Sequence, residues 1–368
     1  MTKERIFASP SRYVQGKRML QDGIKYIKAL GETPLLITDE EVWEIAGKEL
    51  FKTMEENGMH PVKEIFGGEA SEKEIDRISE DAKGKDLDVI VALGGGKAID
   101  TGKAVADDVQ LPLAVLPTVA STDAPTSALS VIYSPEGVFE GYRFYDKNPD
   151  LVLVDTEVIV NAPSELLADG IADALATFIE ARAVAQKRGK TMAGGSQTSA
   201  GMAIAEKAEE VLFENALKAI EANKAHVVTE AFEQIVEANT LLSGLGFESA
   251  GLAAAHAIHN GFTVLNGDIH ELSHGQKVAY GTLTQLMLEN AEEAELNEYI
   301  DLYQLLGLPT TLEDLHLKDA SYDNLLKVGK QATIDEETIH EMTMNVTAED
   351  VAAALKAVDT YVTTYFPK

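Results

Sequence analysis

The sequence predicts an α/β domain, a parallel sheet with helices on both faces, followed by an all-α domain. Up to about residue 160, apolar runs of strand type alternate with helical stretches, the rhythm of a parallel sheet. Beyond about residue 161 the strand signals stop, and long Ala/Leu/Glu-rich segments take over. The boundaries implied are 1–160 and 161–368. The junction near Asn161 and Pro163 is short, which predicts two closely packed halves with a cleft between them.

Within the first half, Pro34–Thr38 reads as a buried strand and 40–57 as a helix. Pro61–Phe66 is a strand, Ser71–Lys83 a helix, and Asp88–Leu93 a strand. Gly96–Asp107 is a helix and Leu113–Leu116 a strand. Ala128–Tyr133 and Phe139–Asp146 flank the turn Ser134–Gly137 and read as a hairpin-like insertion. Leu151–Asp155 returns to strand. In the second half the helical segments are 164–187, 196–221, 225–245, 249–265 and 273–293, with shorter helices to the end. No internal repeat is seen.

Composition narrows the function. A chain of 368 residues with 45% hydrophobic and 25% charged content is long enough for two domains and a large core. The net charge of −30, from 61 acids against 31 bases, repels nucleic-acid phosphate and anionic membrane, so neither is an expected partner. No run is long and apolar enough to span a bilayer, and Met1–Gly16 has no secretory-signal pattern. With no cysteine, disulfides are excluded and any metal must take N and O ligands. The expectation is a cytoplasmic enzyme.

One motif points to a nucleotide. The strand-type run Val89–Leu93 ends in Gly94, Gly95 and Gly96, where a helix begins. Glycines at such a turn let the backbone approach a diphosphate, with the first helix amides and the helix dipole aimed at the anion. A tight turn without a ligand uses the same residues. Asp39 follows the strand Leu35–Thr38, where it can accept from ribose hydroxyls and repel a 2′-phosphate, or cap the helix that begins at Glu40. The loop Phe66–Glu69 can bring backbone near a cofactor or simply turn.

A second group points to a metal. In the helical run Ser164–Ala185, Asp169, Asp173, Thr177 and Glu180 recur on one face. Carboxylates there must be paired, solvated or bound to a cation, because burying a bare one is costly. His256 and His259 share a face of an Ala-rich helix, and His270 and His274 follow closely. Four of the eight histidines thus fall within a short span. A carboxylate with two imidazoles and an open position is what catalytic zinc requires. Spacing alone leaves open which of these groups bind.

The motifs together resemble the iron-containing, or group III, alcohol dehydrogenases, and within them the zinc-dependent glycerol dehydrogenase branch. The matching pieces are GGGKAIDTGK from Gly94 to Lys103, PTVASTDAPTS from Pro117 to Ser127, and ADAL from Ala172 with EARA from Glu180. AAHAIHNGFT from Ala254 and SHG from Ser273 complete them. The resemblance runs nearly end to end. It implies a dehydroquinate synthase-like architecture, an N-terminal dinucleotide-binding domain and a C-terminal helical domain holding the metal. It implies Asp173, His256 and His274 as ligands of Zn2+. NAD would lie over Gly94, Gly95, Gly96 and Lys97, with Asp39 on the adenosine ribose. Thr118, Ser121, Ser127, Leu129 and Tyr133 would line the nicotinamide side. Asp123 would contact substrate, and His259, Asp123 or a water chain is the candidate proton acceptor. Thr177 stands where iron-using relatives carry a histidine four residues after the ligand aspartate. The activity implied is reversible oxidation of glycerol to dihydroxyacetone with NAD, by a homo-oligomer, an octamer by resemblance. The alternatives are another small diol or alcohol, a dehydroquinate synthase-like lyase, or a silent NAD-binding protein. Few Lys or Arg flank the candidate ligands, which disfavours the lyase with its phosphate-bearing substrate. Retention of all three ligand types disfavours a silent protein.

Overall fold

A computed structural model describes residues 4–367. Among the described residues there are eight strands: β1 Tyr13–Gly16, β2 Pro34–Thr38, β3 Val62–Ile65, β4 Val89–Gly94, β5 Leu113–Pro117, β6 Leu129–Tyr133, β7 Phe139–Phe144 and β8 Leu151–Asp155. The chain divides into two compact units, one of residues 8–167 with 218–244, the other of residues 4–7, 168–217 and 245 onward.

The first unit holds a six-stranded, wholly parallel sheet in the order β1-β8-β5-β4-β2-β3. Register places Leu36 beside Val91, Val91 beside Ala114, and Ala114 beside Leu151. That row packs under α1 (Met19–Asp22), α2 (Ile24–Lys28) and α3 (Lys48–Glu56) through Leu20, Ile27, Leu50 and Met54. The alternate residues face the other way. There, α4 (Glu72–Lys83) and α5 (Gly96–Val109) bury Ile75, Ile78, Ile99 and Val105. Gly102 allows α5 to lie close against Ala92 of β4, where a Cβ would collide. Because both faces are covered, β2, β4, β5 and β8 are buried throughout, which is why they read as continuous apolar runs.

The chain leaves β2 for β3 on one side and β4 for β5 on the other. This reversal opens a crevice at the carboxyl ends of β2 and β4, where open α/β sheets bind ligands. β6 and β7 form the expected antiparallel hairpin, with a register irregularity at Ile132 and Tyr133. Two features differ from the sequence reading. β1 has no apolar run, being a half-buried edge strand tied down by Gln15 to Glu233 and Tyr13 to Thr240. The helix expected over 40–57 contains one widened turn at Trp43–Gly47, with the Trp43 ring against Gly47.

In the second unit the helices are α6 (Ser164–Lys187), which enters from the sheet unit at Ala168, α7 (Ser199–Lys224), which leaves for it after Leu217, and α8 (Glu230–Ala250), which returns at Leu245. They are followed by α9 (Ala254–Phe262), α10 (His274–Leu288), α11 (Glu293–Leu306), α12 (Tyr322–Ala332) and α13 (Ala348–Tyr365). α9 is buried along its whole length. Small residues allow this: a Cβ on Gly281 of α10 or Gly261 of α9 would strike the backbone of Ala255 or Val328. The break between α8 and α9 falls at 251–253, within the segment read as one helix over 249–265. Gly251 adopts φ +101° there, and the two helix axes bend by 103°. Among the described residues no single helix is long and apolar enough to cross a membrane.

Candidate functional site

Three side chains from three helices meet in the helical unit. Asp173 comes from the middle of α6, His256 from the first turn of α9, and His274 from the first residue of α10. One ligand-type atom from each lies within 4.8 Å of the others. Asp173 is fully buried, and its Oδ1 lies 3.2 Å from His256 Nε2 and 3.0 Å from His274 Nε2.

Each position has a local cause. His274 is the first residue of α10 because Ser273 caps that helix. Its Oγ accepts from Gln276 N at 3.1 Å, while Gln276 Oε1 accepts from Ser273 N at 2.9 Å. α9 has no capping side chain of its own. Its first amides are satisfied from elsewhere. Glu180 Oε1 accepts from Ala253 N at 2.9 Å and His256 N at 3.1 Å, and Gln285 Oε1 accepts from Ala254 N and Ala255 N at 2.9 Å each. Glu180 Oε2 lies 2.6 Å from His256 Nδ1. A carboxylate oxygen can only accept, so Nδ1 carries the proton toward Glu180. In the neutral ring, Nε2 then presents a lone pair toward Asp173 Oδ1.

This arrangement fits a bound cation. Two acceptors 3.2 Å apart in a buried site require a proton or a metal between them. Without a metal the proton is retained. Burial alone would lower the His256 pKa, but the Glu180 and Asp173 carboxylates outweigh it and hold the ring well above its ordinary value. Burial alone would raise the Asp173 pKa, and the charge of His274 and the bonds from both imidazoles reverse this, holding the carboxyl well below its usual range. A carboxylate orienting the far nitrogen of a ligating histidine is a recurrent support of metal sites.

His259 lies beside this cluster. It is buried, its ring centroid is 4.2 Å from that of His274, and its Nδ1 is 3.0 Å from Asn260 Oδ1. Burial, with the charges of His274, Lys277 and His256, keeps its pKa well below the ordinary value, so this ring is neutral. The remaining candidates lie outside the cluster. Asp169 is buried one turn earlier on α6, with its backbone packed against Gly275. His270 Nε2 is 2.5 Å from Leu265 O and holds the turn before α10.

The sheet unit holds the nucleotide motif. Gly94 has φ +155°, and a Cβ there would come within 2.8 Å of Ala98 Cβ, so this turn demands glycine. Gly95 precedes α5 without a side-chain cap, which leaves the first amides of Gly96 and Lys97 for a ligand. Lys97 Nζ is paired with Glu69 Oε2 at 2.7 Å, while Glu69 Oε1 is buried without a partner. Asp39 caps its helix, Oδ1 accepting from Val42 N at 2.8 Å. Its other oxygen lies 4.0 Å from where a Gly94 Cβ would stand, so the cap leaves that oxygen beside the glycine turn.

Thr118 N donates to Gly94 O at 3.1 Å, and Ser121 is half-buried. Ser127 is fully buried. Its Oγ accepts from Lys103 Nζ at 3.0 Å, and the same ammonium reaches Leu129 O at 2.8 Å, so this lysine organises the loop. The Tyr133 ring meets Phe139 edge-on. Asp123 is buried, and its Oδ2 accepts from Ser243 Oγ at 2.8 Å.

The sequence placed Glu180 on the acid stripe, and Lys103 and Asn260 within matching motifs, without their roles, and gave no sign of Gln285, of Ser243 or of Glu337, whose carboxylate accepts from Asn260 Nδ2 at 3.0 Å. The Ser273/Gln276 spacing was the one available signal, a capping box preceding His274. Glu337 lies 77 residues from Asn260, with nothing local to mark it.

Known proteins are similar to this chain over nearly its whole length. Residues 10–156 match the family model described as iron-containing alcohol dehydrogenase. The chain is 46% identical to glycerol dehydrogenase of Escherichia coli O6:H1, covering 97% of each chain. It is 45% identical to glycolaldehyde reductase of Halobacterium salinarum, covering 96% of this chain and 97% of that one. The crystal structure of glycerol dehydrogenase from Schizosaccharomyces pombe superposes with a TM-score of 0.96 at 43% identity, over 99% of this chain and 92% of that one.

Proposed function

The chain belongs to the iron-containing alcohol dehydrogenase family, and from that premise we propose that it oxidises glycerol to dihydroxyacetone, reversibly, with NAD and zinc. The observation that carries the metal half is the shared Oδ1 of Asp173, facing two histidine Nε2 atoms with Glu180 behind one of them. One carboxylate and two imidazoles suit zinc, which has no geometric preference from d-electrons. Thr177 adds no imidazole, and comparable sites bind iron(II) less tightly than zinc. When bound, zinc supplies Lewis acidity that makes an alcohol hydroxyl more acidic, and NAD supplies the hydride acceptor.

The chain's own residues do the rest. Asp173 contributes the negative charge, and Glu180 sets the His256 ring. The amides of Gly96 and Lys97 receive the diphosphate, and Asp39 receives the adenosine ribose. Thr118, Ser121, Ser127, Leu129 and Tyr133 shape the nicotinamide side. Asp123 accepts hydrogen bonds from polyol hydroxyls. His259, neutral and beside the cluster, is the candidate proton acceptor. Nucleotide work thus falls to residues 1–160 and metal work to 161–368. The reading includes a cytoplasmic homo-oligomer, an octamer by resemblance, which light scattering of the purified protein checks. The direct test of function is reduced-nicotinamide absorbance on mixing enzyme, NAD and glycerol; no signal from zinc-loaded protein would remove the proposal.

A second reading has one observation in its favour, the 45% identity to a glycolaldehyde reductase. A panel of glycerol, 1,2-propanediol and, in the reverse direction, dihydroxyacetone and glycolaldehyde separates the two. Higher kcat/KM for glycolaldehyde than for dihydroxyacetone would make reduction of a two-carbon aldehyde the better assignment.

Two substitutions probe the assigned roles. Asp39→Gly is expected to raise use of NADP relative to NAD, with a stability loss of only a few tenths of a kcal/mol, about what glycine costs at a helix cap. An unchanged ratio of kcat/KM values would leave Asp39 as a cap alone. Asp123→Asn is expected to raise KM for glycerol about tenfold or more, since a bond to a charged acceptor contributes roughly 1.5–3 kcal/mol. An equal rise in KM for NAD would instead mark a structural turn.

A further inference from the structure

Glu337 is buried yet lies on no element of the candidate site. It precedes the short turn Thr338–Glu341, which Thr338 Oγ1 ties to Ala253 O at 2.7 Å, just before α9. Both its carboxylate oxygens accept from Asn260 Nδ2, at 3.0 and 3.2 Å. Asn260 in turn places Oδ1 3.0 Å from His259 Nδ1.

The chemistry of these groups has one consistent direction. An ionised carboxylate can only accept, so it selects the NH2 end of the Asn260 amide and resolves which way that amide points. The Oδ1 end is then aimed at His259, and it too can only accept. His259 Nδ1 must therefore carry the proton, which leaves Nε2 as the nitrogen with a lone pair.

We propose that Glu337, acting through Asn260, is a positioning residue that fixes His259 as the Nδ1-protonated tautomer, presenting Nε2 as the base beside the Asp173–His256–His274 cluster. The catalytic meaning rests on the proposed function; the tautomer does not. An acceptor-only group is what the relay requires. A glutamine at 337 would satisfy the amide in either orientation, since it both donates and accepts. The Asn260 amide could then turn over, offering Nδ2 to His259 Nδ1 and moving the proton to Nε2.

The test uses full-length protein labelled with 15N-histidine, at pH 8, above the value of about 7 to which burial pushes Glu337. Ring-nitrogen spectra distinguish the two tautomers, and His259 is identified by the resonances lost in His259→Gln. The expected wild-type result is a single Nδ1–H tautomer. Glu337→Gln is expected to mix the tautomers and to lower kcat about twofold or more, in proportion to the fraction displaced, with KM for NAD unchanged. Glu337→Asp, still acceptor-only, is expected to restore the single tautomer. An Nε2–H tautomer in the wild type overturns the inference whether or not any variant folds. So does a wild-type spectrum for His259 in Glu337→Gln. Absence of turnover on every polyol would remove the proposed function, while the ring-nitrogen spectra would still decide the tautomer.

Discussion

Asp173→Asn is expected to abolish both zinc retention and activity while leaving the fold intact. The side chain is fully buried and the amide has the same shape, so packing is unchanged. The negative charge facing two imidazoles is gone, and the two histidines, 3.0 and 3.2 Å from the lost oxyanion, are left without it. A bound metal ion contributes several kcal/mol of charge stabilisation to the reacting oxygen. At about 1.4 kcal/mol per decade, activity should fall on the order of a thousandfold or more. Metal content of the purified variant is the first readout. Thermal stability is the second and is independent of catalysis. Zinc at a hundred times its Kd should stabilise the wild type by about 2.7 kcal/mol and the variant not at all. A chelator should inactivate the wild type, and added zinc should restore it. One zinc per chain in Asp173→Asn, or full activity in metal-free wild type, would sink the metal reading.

How much of this was legible in the sequence depended on whether the cause was local. β2, β4, β5 and β8 were visible because burial on both faces demands continuous apolar runs. β1 was not, because an edge strand held by Gln15 and Tyr13 needs no such run. Gly94–Gly96 was visible because the turn requires a missing Cβ. Asp173, His256 and His274 were visible as residue types, but spacing could not separate them from Asp169, His259 and His270. That separation depends on how three helices meet. The break at 251–253 was displaced from the expected one for the same reason. The amides that open α9 are capped by Glu180 and Gln285, on other helices, and no capping residue precedes them in the chain. Glu337 and Asn260 lie furthest from legibility, being joined only by tertiary packing.

Glu180→Gln is expected to separate folding from metal binding, because the two oxygens of Glu180 do different things. Oε1 accepts from the backbone of Ala253 and His256, and a glutamine oxygen can do the same. Oε2 accepts from His256 Nδ1 at 2.6 Å, and there the variant places an NH2 group. That group can only donate, so Nδ1 must become the acceptor and the ring proton must move to Nε2. A protonated Nε2 satisfies Asp173 Oδ1 directly but has no lone pair for a metal. Zinc affinity should therefore fall by about 10- to 100-fold, the usual cost of losing a carboxylate behind a ligating histidine. The melting temperature of the metal-free protein should hardly change. Glu180→Leu supplies the contrast, since it accepts from nothing and strands three buried donors, each worth roughly 1–3 kcal/mol. It should lower an unfolding transition of the metal-free protein by on the order of 5–10 °C. Equilibrium dialysis against zinc, with thermal melts of all three proteins without metal, reads both effects. Wild-type zinc affinity in Glu180→Gln would show that Glu180 serves only to cap α9, and that the His256 tautomer is set elsewhere.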